Sequence, residues 1–344
     1  MSALDRTLWV KNGAFVRSAS TFRDTIGPDS EFKPEAGRYH LYVAYACPWS
    51  QRALIAWVLK GLQGVVGMSA THPTWQMTKP DDPDDTHAGW TFARPDDPPF
   101  VPVSGFGTIS CEGCIPNQLN GCRTVRDLYE LAGFEGRKFT VPVLWDSKTK
   151  SIVNNESSDI IKIFNTAFDG VGATNSDLDL DPEDQRAYAA EVDEWIYQEV
   201  GNGVYKSGFA HTQEAYDQAV TSLFKNMEKL EQLLSTRRYV AGEKLSLSDV
   251  RIFPTLVRFD EVYHTYFKTN KGSITNDFPN ILNYTRDLWQ TYPEAFAATT
   301  SMDHIKKHYY TSHRSLNTYS ILPAGPNFLA TLAKPHDRDR VYGK

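Results

Sequence analysis

The hydrophobic and polar positions in the first half of the chain alternate between the spacing of strands and the spacing of helices. An apolar run over residues 41–46 predicts a buried strand, and apolar residues then recur at helical spacing as far as residue 60. The predicted order is a strand and a helix over residues 39–60, a strand at 65–69, a helix at 122–132, a hairpin at 140–153 and a helix at 155–164. This alternation predicts a mixed α/β unit.

The second half has apolar residues at helical spacing almost throughout. Between residues 220 and 234 they follow the i, i+3, i+4, i+7 pattern of one buried helix face. Ser246, with Asp249 three residues later, has the sequence of a capping box at a helix start. We therefore predict an all-helical unit over residues 185–318.

Four segments lack such a regular pattern. Residues 1–37 predict an extended N-terminal extension, and residues 169–184, rich in Gly, Asp and Asn, predict a linker. Residues 71–122 predict a long irregular insertion whose acidic runs are expected on the solvated surface. Residues 319–344 predict an irregular tail. The α/β unit is therefore expected to occupy residues 38–168.

Composition and charge narrow the classes of function. The chain has 344 residues, of which 41% are hydrophobic, and its formal net charge is -6. This balance provides no basic surface for nucleic acid or for an anionic membrane, so neither partner is expected. No apolar run approaches the roughly 18 residues of a membrane span, and the first residues lack the core of a signal peptide. We therefore expect a cytoplasmic protein.

Cys47 has the most informative position of any residue. It follows the first predicted strand and precedes Pro48, which suits the first turn of a helix because no N–H is needed there. A thiol at a helix N-terminus lies at the positive end of the helix dipole, which favours the reactive thiolate. A buried structural cysteine is the alternative. The flanking residues favour a nucleophile.

Ser50, rather than a second cysteine, stands three residues after Cys47. A Cys-x-x-Cys pair can resolve a mixed disulfide internally, whereas Cys-Pro-Trp-Ser cannot. The chemistry therefore needs an external thiol. Glutathione is the abundant intracellular thiol, and we expect it as a co-substrate.

The other three cysteines are Cys111, Cys114 and Cys122, and the first two have the spacing of a zinc knuckle. A structural zinc site needs a fourth ligand and usually a second close pair, and the sequence shows neither. No metal is therefore expected, and the three residues are interpreted as loop thiols.

A unit with the element order of thioredoxin, a linker, an all-helical unit and a Cys-Pro-x-Ser motif together resemble the cytosolic glutathione transferases. Cysteine at the catalytic position is typical of their thiol-transferase branches. Over about residues 10–342 the chain resembles more narrowly the Xi class, the glutathionyl-hydroquinone reductases. The strings that carry this resemblance begin at Ala46 (ACPWSQRA), Gly89 (GWTF), Thr140 (TVPVLWD), Ile152 (IVNNESS), Asn202 (NGVYKSGFA), Leu256 (LVRFD) and His308 (HYYTSH).

The resemblance implies a reaction that removes glutathione from a glutathionylated hydroquinone. The thiolate of Cys47 attacks the glutathione sulfur, expels the quinol and keeps glutathione as a mixed disulfide. A second glutathione then releases oxidised glutathione. Transferases of this kind are commonly dimers, so the resemblance implies a homodimer whose partners are glutathione and glutathionylated quinols.

The resemblance also implies a set of glutathione-binding residues, namely Trp90, Arg126, Val141, Pro142, Glu156 and Ser157. A cis Pro142 would let the Val141 backbone pair with the cysteinyl unit, and an ordinary trans proline is the alternative. Glu156 and Ser157 would hold the γ-glutamyl unit or only cap a helix. For Trp90 the alternative is a local hydrophobic contact, and for Arg126 a solvated position on its helix.

Tyr205 and Tyr309 match the family tyrosines that donate hydrogen bonds to the two oxygens of the quinol ring. A tyrosine in a helical domain is otherwise most often a core residue. His313 lies one helical turn beyond Tyr309, where it would either help to bind the ring or cap the helix end. These three residues form the implied hydroquinone site.

Two other functions stay open at this point. One is a broader omega-like thiol transferase or dehydroascorbate reductase, against which Tyr205 and Tyr309 argue. The other is a non-catalytic ligand-binding protein, against which the presence of Cys47, Val141-Pro142 and Glu156-Ser157 as a complete set argues. The sequence after His313 departs from the family's usual Asn-Pro-x-Gly, and the loop at 76–122 is unusually acidic. The resemblance therefore constrains the quinol site less than the glutathione site.

Overall fold

The computed structural model describes residues 10–342 apart from residue 12. The start of the predicted extension and the last two residues of the predicted tail lie outside the described residues. The strands are β1 (Val10–Lys11), β2 (Ala14–Phe15), β3 (Tyr39–Val43), β4 (Gly67–Ala70), β5 (Gln76–Met77), β6 (Ala88–Gly89), β7 (Val143–Asp146) and β8 (Ser151–Asn154).

The helices in the described residues follow the same chain order. They are α1 (Pro48–Leu59), α2 (Val125–Leu131), α3 (Ser157–Thr166), α4 (Glu183–Trp195), α5 (Gly203–Gly208), α6 (Gln213–Thr236), α7 (Leu247–Arg258), α8 (His264–Tyr266), α9 (Ile274–Asp277), α10 (Pro279–Thr291), α11 (Met302–Ser312), α12 (Phe328–Leu332) and α13 (Asp339–Tyr342). A 3₁₀ turn spans Asp169–Val171, and π-helical turns span Ile196–Gly201 and Phe259–Tyr263.

A four-stranded mixed sheet in the order β4-β3-β7-β8 forms the centre of the first half. Strand β3 is parallel to β4 and antiparallel to β7, so Leu41 lies between Met68 and Leu144. Because β3 has a neighbour on each side and helices pack on the sheet, Leu41 is fully buried. The predicted fold class is confirmed: a thioredoxin-like α/β unit is followed by an all-α unit.

Helix α1 connects the sheet to the helical half. Its N-cap is Cys47, in extended conformation with φ -79° and ψ 122°, and Pro48 occupies the first turn as expected. The helix packs against α3 on one side and α7 on the other. One hydrophobic cluster therefore runs through both halves, including Leu41, Ile55 and Leu256.

The helical half follows its sequence pattern closely. Helix α6 buries the face predicted from its spacing, which consists of Val220, Leu223, Phe224, Met227, Leu230 and Leu234. Helix α7 begins at the predicted capping box, in which the Asp249 carboxylate accepts the Ser246 N–H at 2.8 Å. None of the helices in the described part of the chain combines the length and the apolar character that crossing a membrane requires.

The predicted irregular tail contains the two short helices α12 and α13. Phe328 and Leu332 of α12 are buried. The carbonyl of Leu332 also accepts a hydrogen bond from Gln290 of α10 at 2.8 Å. The prediction was wrong here because a helix of five residues shows too little periodicity, and packing against α10 supplies its stability.

The strand boundaries also differ from those predicted. Strand β4 starts at Gly67, and β7 starts only after Pro142, because proline has no N–H to donate to a ladder. The insertion over residues 71–122 is not wholly irregular, since β5 and β6 form a small antiparallel ladder within it. The later part of the insertion packs against α11, where His304 Nε2 lies 2.7 Å from the carbonyl oxygen of Glu112.

Replacement of Asp249 by alanine tests the anchor at the start of α7. The fully buried carboxylate accepts hydrogen bonds from Val240 N–H (2.9 Å), Ser246 N–H (2.8 Å) and Tyr284 O–H (2.7 Å). Asp249→Ala leaves these buried donors without an acceptor and should lower the free energy of unfolding by about 3 kcal/mol. The measurement is urea unfolding followed by far-ultraviolet circular dichroism.

The matched control for this prediction is Asp277→Ala. Asp277 is exposed, and its carboxylate accepts the Ser273 N–H at 2.7 Å. Water can replace it, so the cost should be about 1 kcal/mol or less. Equal losses in the two variants would contradict the role given to burial at Asp249.

Candidate active site

A cavity of about 720 Å³ lies between the sheet half, the helical half and the N-terminal extension. Cys47 at the start of α1 and Glu156 before α3 line it from the first half. Tyr205 of α5 and Tyr309 of α11 line it from the helical half, and Arg17 from the extension. Its volume is within the usual range for sites that enclose a small organic ligand.

Cys47 is held at this cavity by the first turn of α1. Its N–H donates to the Ala44 carbonyl and its carbonyl accepts the Gln51 N–H, each at 3.0 Å. The thiol lies 3.6 Å from the carbonyl oxygen of Val141. The Val141–Pro142 peptide bond is cis, which confirms that prediction. The nucleophile candidate therefore faces the backbone that was expected to bind glutathione.

No second thiol lies beside Cys47 in the described part of the chain. The hydroxyl of Ser50 accepts the Ala44 N–H at 3.3 Å, and Cys111, Cys114 and Cys122 do not line the cavity. A mixed disulfide on Cys47 would therefore have to be resolved by a thiol from outside the cavity lining.

Glu156 and Ser157 form the wall at the N-terminus of α3. Glu156 is the N-cap, and its carboxylate accepts the Ser158 N–H at 3.1 Å. The same carboxylate accepts the Ser20 hydroxyl of the extension at 2.8 Å. Glu156 and Ser157 also line the cavity, so they can cap the helix and contact a ligand at the same time.

Trp90 belongs to an aromatic wall of the cavity. Its ring stacks on His308 at a centroid distance of 4.4 Å and meets Trp75 edge-on at 5.8 Å. The Trp75 indole N–H is buried and has no hydrogen-bond partner in the described residues. Burial lowers the pKa of His308 well below its usual value, so this ring is neutral at physiological pH. The wall therefore offers apolar faces and one unpaired donor.

The hydroxyls of Tyr205 and Tyr309 meet at 2.5 Å, although 104 residues separate them in sequence. A third hydroxyl, from Tyr263, lies 3.1 Å from that of Tyr309. Desolvation raises the pKa of Tyr205 and of Tyr309 well above the usual value. Both therefore stay protonated at neutral pH and can donate to an oxygen-bearing ligand.

His313 is the C-cap of α11 and also lines the cavity, so the position at the helix end and the position at the implied ring site occur together. Its ring meets that of Trp75 edge-on at 5.3 Å. Burial lowers the pKa of His313 to about 4, so it carries no charge at neutral pH. It adds a polar but neutral group beside the tyrosine pair.

Arg126 is the predicted site residue that the structure does not bring to the cavity. Its guanidinium forms ion pairs with Asp85 at 2.6 Å and Glu130 at 2.8 Å, and donates to Thr78 Oγ1 at 3.2 Å. Asp85 belongs to the acidic run that was expected to be solvated. Asp85 and Glu130 hold Arg126, which leaves it unsuited to pair with glutathione. The other acidic residues of this run, Asp81, Asp82 and Asp84, are exposed as expected.

Arg17 and Lys138 are cavity-lining cations that the sequence did not reveal. Arg17 Nε donates to Asn202 Oδ1 at 2.8 Å, and the guanidinium lies 4.4 Å from the ring centroid of Trp49. Lys138 Nζ donates to the carbonyl of Ser18 at 2.9 Å. No pattern in the extension could have indicated the position of Arg17, because it depends on how the extension folds over the cavity.

The two cysteines with zinc-knuckle spacing, Cys111 and Cys114, lie in a loop as predicted, and both are buried. Burial raises the pKa of Cys111, and raises that of Cys114 to about 12. Within the described residues, no three His, Cys, Asp or Glu side chains are grouped so that they could hold a metal ion. These cysteines are structural in this fold.

Comparison with known proteins agrees with this geometry. The family model described as "Glutathione S-transferase, N-terminal domain" matches residues 46–167, and that described as "Glutathione S-transferase, C-terminal domain" matches residues 213–287. The Glutathionyl-hydroquinone reductase YqjG of Escherichia coli (strain K12) is 40% identical over 346 residues, covering 96% of this chain and 94% of YqjG. Glutathionyl-hydroquinone reductase PcpF of Sphingobium chlorophenolicum is 40% identical, with coverages of 91% and 90%.

Solved structures give the same assignment. The glutathione S-transferase Xi of Phanerochaete chrysosporium matches with a TM-score of 0.82 and 42% identity, covering 94% of this chain and 100% of that chain. The Xi transferase ECM4 of Saccharomyces cerevisiae, in complex with glutathione, matches with a TM-score of 0.82 and 34% identity, covering 92% and 98%. The chain belongs to the glutathione transferase family, and within it to the Xi class.

Selective alkylation tests the special position of Cys47. At neutral pH, iodoacetamide should modify Cys47 at least about ten-fold faster than Cys111 or Cys114, because thiolates react and burial keeps the other two protonated. Peptide mapping by mass spectrometry measures the rate at each residue. In urea all four cysteines should react alike. Equal native rates would contradict the assignment.

Proposed function

We propose that this protein reduces S-glutathionyl-hydroquinones to hydroquinones, with glutathione as co-substrate. One observation carries the proposal: Cys47, placed at a helix N-terminus, shares a cavity with the paired hydroxyls of Tyr205 and Tyr309. The first group suits attack on sulfur, and the second suits recognition of a dihydroxylated ring. Two relatives, each 40% identical over at least 90% of either chain, are named glutathionyl-hydroquinone reductases.

The first step forms a mixed disulfide on the enzyme. The Cys47 thiolate attacks the glutathione sulfur of the conjugate, an S–S bond forms, and the bond from that sulfur to the ring carbon breaks. The conjugate reacts as its keto tautomer, in which the ring carbon that carries sulfur is tetrahedral. The electron pair of the broken bond then passes to the neighbouring carbonyl oxygen as an enolate, and a proton from solvent on that oxygen completes the hydroquinone. The expelled ring therefore carries developing negative charge on oxygen.

Tyr205 and Tyr309 are proposed to donate hydrogen bonds to those oxygens. Since desolvation raises the pKa of both phenols, they act as neutral donors and do not compete with the substrate for negative charge. The aromatic wall of Trp75, Trp90 and His308 supplies the apolar faces on which the ring can stack.

The second step returns the enzyme to its thiolate form. A second glutathione attacks the mixed disulfide, the S–S bond to Cys47 breaks, and oxidised glutathione leaves. The net change converts one conjugate and one glutathione into hydroquinone and oxidised glutathione. No internal thiol is needed, in keeping with Ser50 at the position of a resolving cysteine.

The tripeptide is proposed to lie along the first half of the cavity. The Val141 backbone beside the cis Pro142 would pair with the cysteinyl unit, and Glu156 with Ser157 would hold the γ-glutamyl unit at the start of α3. Arg17 is proposed as a carboxylate partner in the place first given to Arg126, because it lines the cavity without an acidic partner in the described residues.

Three further properties are proposed on the same basis. The glutathione-binding unit comprises residues 38–168, including the insertion 71–122, and the all-helical unit comprises residues 185–318. The N-terminal extension precedes them and the tail follows them. The protein acts as a homodimer, as is common among related transferases. Its location is the cytoplasm, where glutathione is abundant and a thiol stays reduced.

The variant Cys47→Ser tests the nucleophile. With glutathionyl-menadiol and excess glutathione, product formation should fall at least about 1000-fold, because serine cannot form the mixed disulfide. Chromatography of menadiol and oxidised glutathione measures both products. Cys111→Ser serves as a matched control and should retain activity. Unchanged turnover in Cys47→Ser would contradict the mechanism.

The variant Tyr309→Phe separates quinol reduction from general thiol exchange. Loss of one donor to a developing oxyanion should lower kcat/KM for glutathionyl-menadiol about 100-fold. Exchange with a mixed disulfide of glutathione and 2-mercaptoethanol needs no such donor and should change less than about three-fold. Equal losses in both assays would favour the omega-like thiol transferase instead.

Tyr310→Phe is the control for Tyr309→Phe. Tyr310 follows Tyr309 on α11, its hydroxyl has no hydrogen-bond partner in the described residues, and it does not line the cavity. Removing this hydroxyl should leave both activities unchanged.

A further inference from the structure

Arg258, the last residue of α7, is a buried cation that has no acidic partner among the described residues. It is fully buried, and no carboxylate lies within ion-pair distance in the described part of the chain. Its donors contact the carbonyl oxygens of Tyr45 (3.0 Å), Ala46 (3.3 Å) and Pro254 (2.8 Å), and the side-chain oxygen of Gln51. A buried guanidinium normally pairs with a carboxylate, so this arrangement needs a reason.

The groups that Arg258 contacts include residues on both sides of Cys47 in the sequence. Ala46 directly precedes Cys47, and Gln51 donates its backbone N–H to the Cys47 carbonyl at 3.0 Å. Gln51 is also held from the helical half, where its amide donates to Thr300 Oγ1 at 2.7 Å. Arg258, which belongs to the helical half, therefore binds both the residue before Cys47 and the helical turn after it.

We propose that Arg258 is a positioning residue that fixes this turn and supplies the positive charge against which the Cys47 thiolate forms. The inference rests on the proposed function, in which Cys47 is the nucleophile. It extends that function by giving the helical half a part in activating the thiol. It also accounts for the LVRFD string, which none of the proposed binding roles uses.

Two buried carboxylates, Asp260 and Glu261, follow Arg258 in the chain, but both are bound elsewhere: Asp260 accepts the Ile274 N–H at 2.7 Å, and Glu261 accepts the Phe328 N–H at 2.6 Å. The charge of Arg258 acts on Tyr263, Tyr309 and His308. Desolvation raises the pKa of both tyrosines, an effect that Arg258 partly opposes, and keeps His308 neutral. Tyr205, which interacts with Cys47, also stays protonated because of desolvation. None of these groups forms an ion pair with Arg258 in the described residues, and its guanidinium is held at the carbonyls of Tyr45 and Ala46, directly before Cys47.

The experiment compares alkylation of Cys47 by iodoacetamide at neutral pH and at about pH 9. In Arg258→Gln the rate at neutral pH should fall about ten-fold, and at about pH 9 it should come within about two-fold of wild type, because more thiolate then forms unaided. Arg258→Lys keeps the charge and should recover most of the rate. A purely structural role would lower both rates together and would gain nothing from lysine.

Gln51→Glu provides a second test that leaves Arg258 in place. The new carboxylate has the shape of the amide and neutralises the guanidinium, so alkylation at neutral pH should again fall about ten-fold. If Arg258→Gln does not fold, Gln51→Glu tests the proposal in its place. Arg251→Gln is the matched control, since it removes a cation of the same helix that pairs with Asp193 at 2.5 Å. It should leave the rate unchanged.

The outcomes distinguish this inference from the proposed function. A wild-type Cys47 that reacts no faster than the same residue in urea would overturn Cys47 as an activated nucleophile, and the inference with it. Fast wild-type alkylation that is unaltered in Arg258→Gln and Gln51→Glu would overturn the inference alone. A similar fall in Arg251→Gln would also overturn it, because the effect would then not be specific to Arg258.

Discussion

The first turn of α1 is the constraint on which the rest of the site depends. Cys47 is its N-cap, and the thiol lies where β3 has ended and where backbone N–H groups have no partner within the helix. The cis peptide bond before Pro142 lies against it on one side, and the helical half lies against it on the other. The turn can be held in place only when both halves of the chain are folded and packed.

The cavity combines two environments that suit two parts of one conjugate. Along the first half lie backbone groups and the N-terminus of α3, which suit a charged tripeptide. Along the helical half lie aromatic rings and phenolic hydroxyls, among them Tyr205 and Tyr309, which suit a flat ring with oxygens. Cys47 lies where these two environments meet, which is where the sulfur–carbon bond of such a conjugate would lie.

Burial determines which groups in the site are charged. It keeps Tyr205, Tyr309 and His308 neutral, so these side chains act through hydrogen bonds and ring faces. The cations come from segments outside the sheet, with Arg17 on the extension and Arg258 on α7. None of the acidic residues of the run 81–85 lines the cavity, and one of them, Asp85, pairs with Arg126.

The sequence by itself determined the local elements and predicted a nucleophile at Cys47. The capping box at Ser246, the buried face of α6 and the Cys-Pro start of α1 are local patterns, and local patterns are set by spacing along the chain. The resemblance to a known class added the tyrosine pair. Only the tertiary structure decided that Arg126 is satisfied elsewhere and that Arg17 enters the cavity. Such contacts join residues more than a hundred positions apart or belong to irregular segments, and their energies depend on packing that no local pattern records.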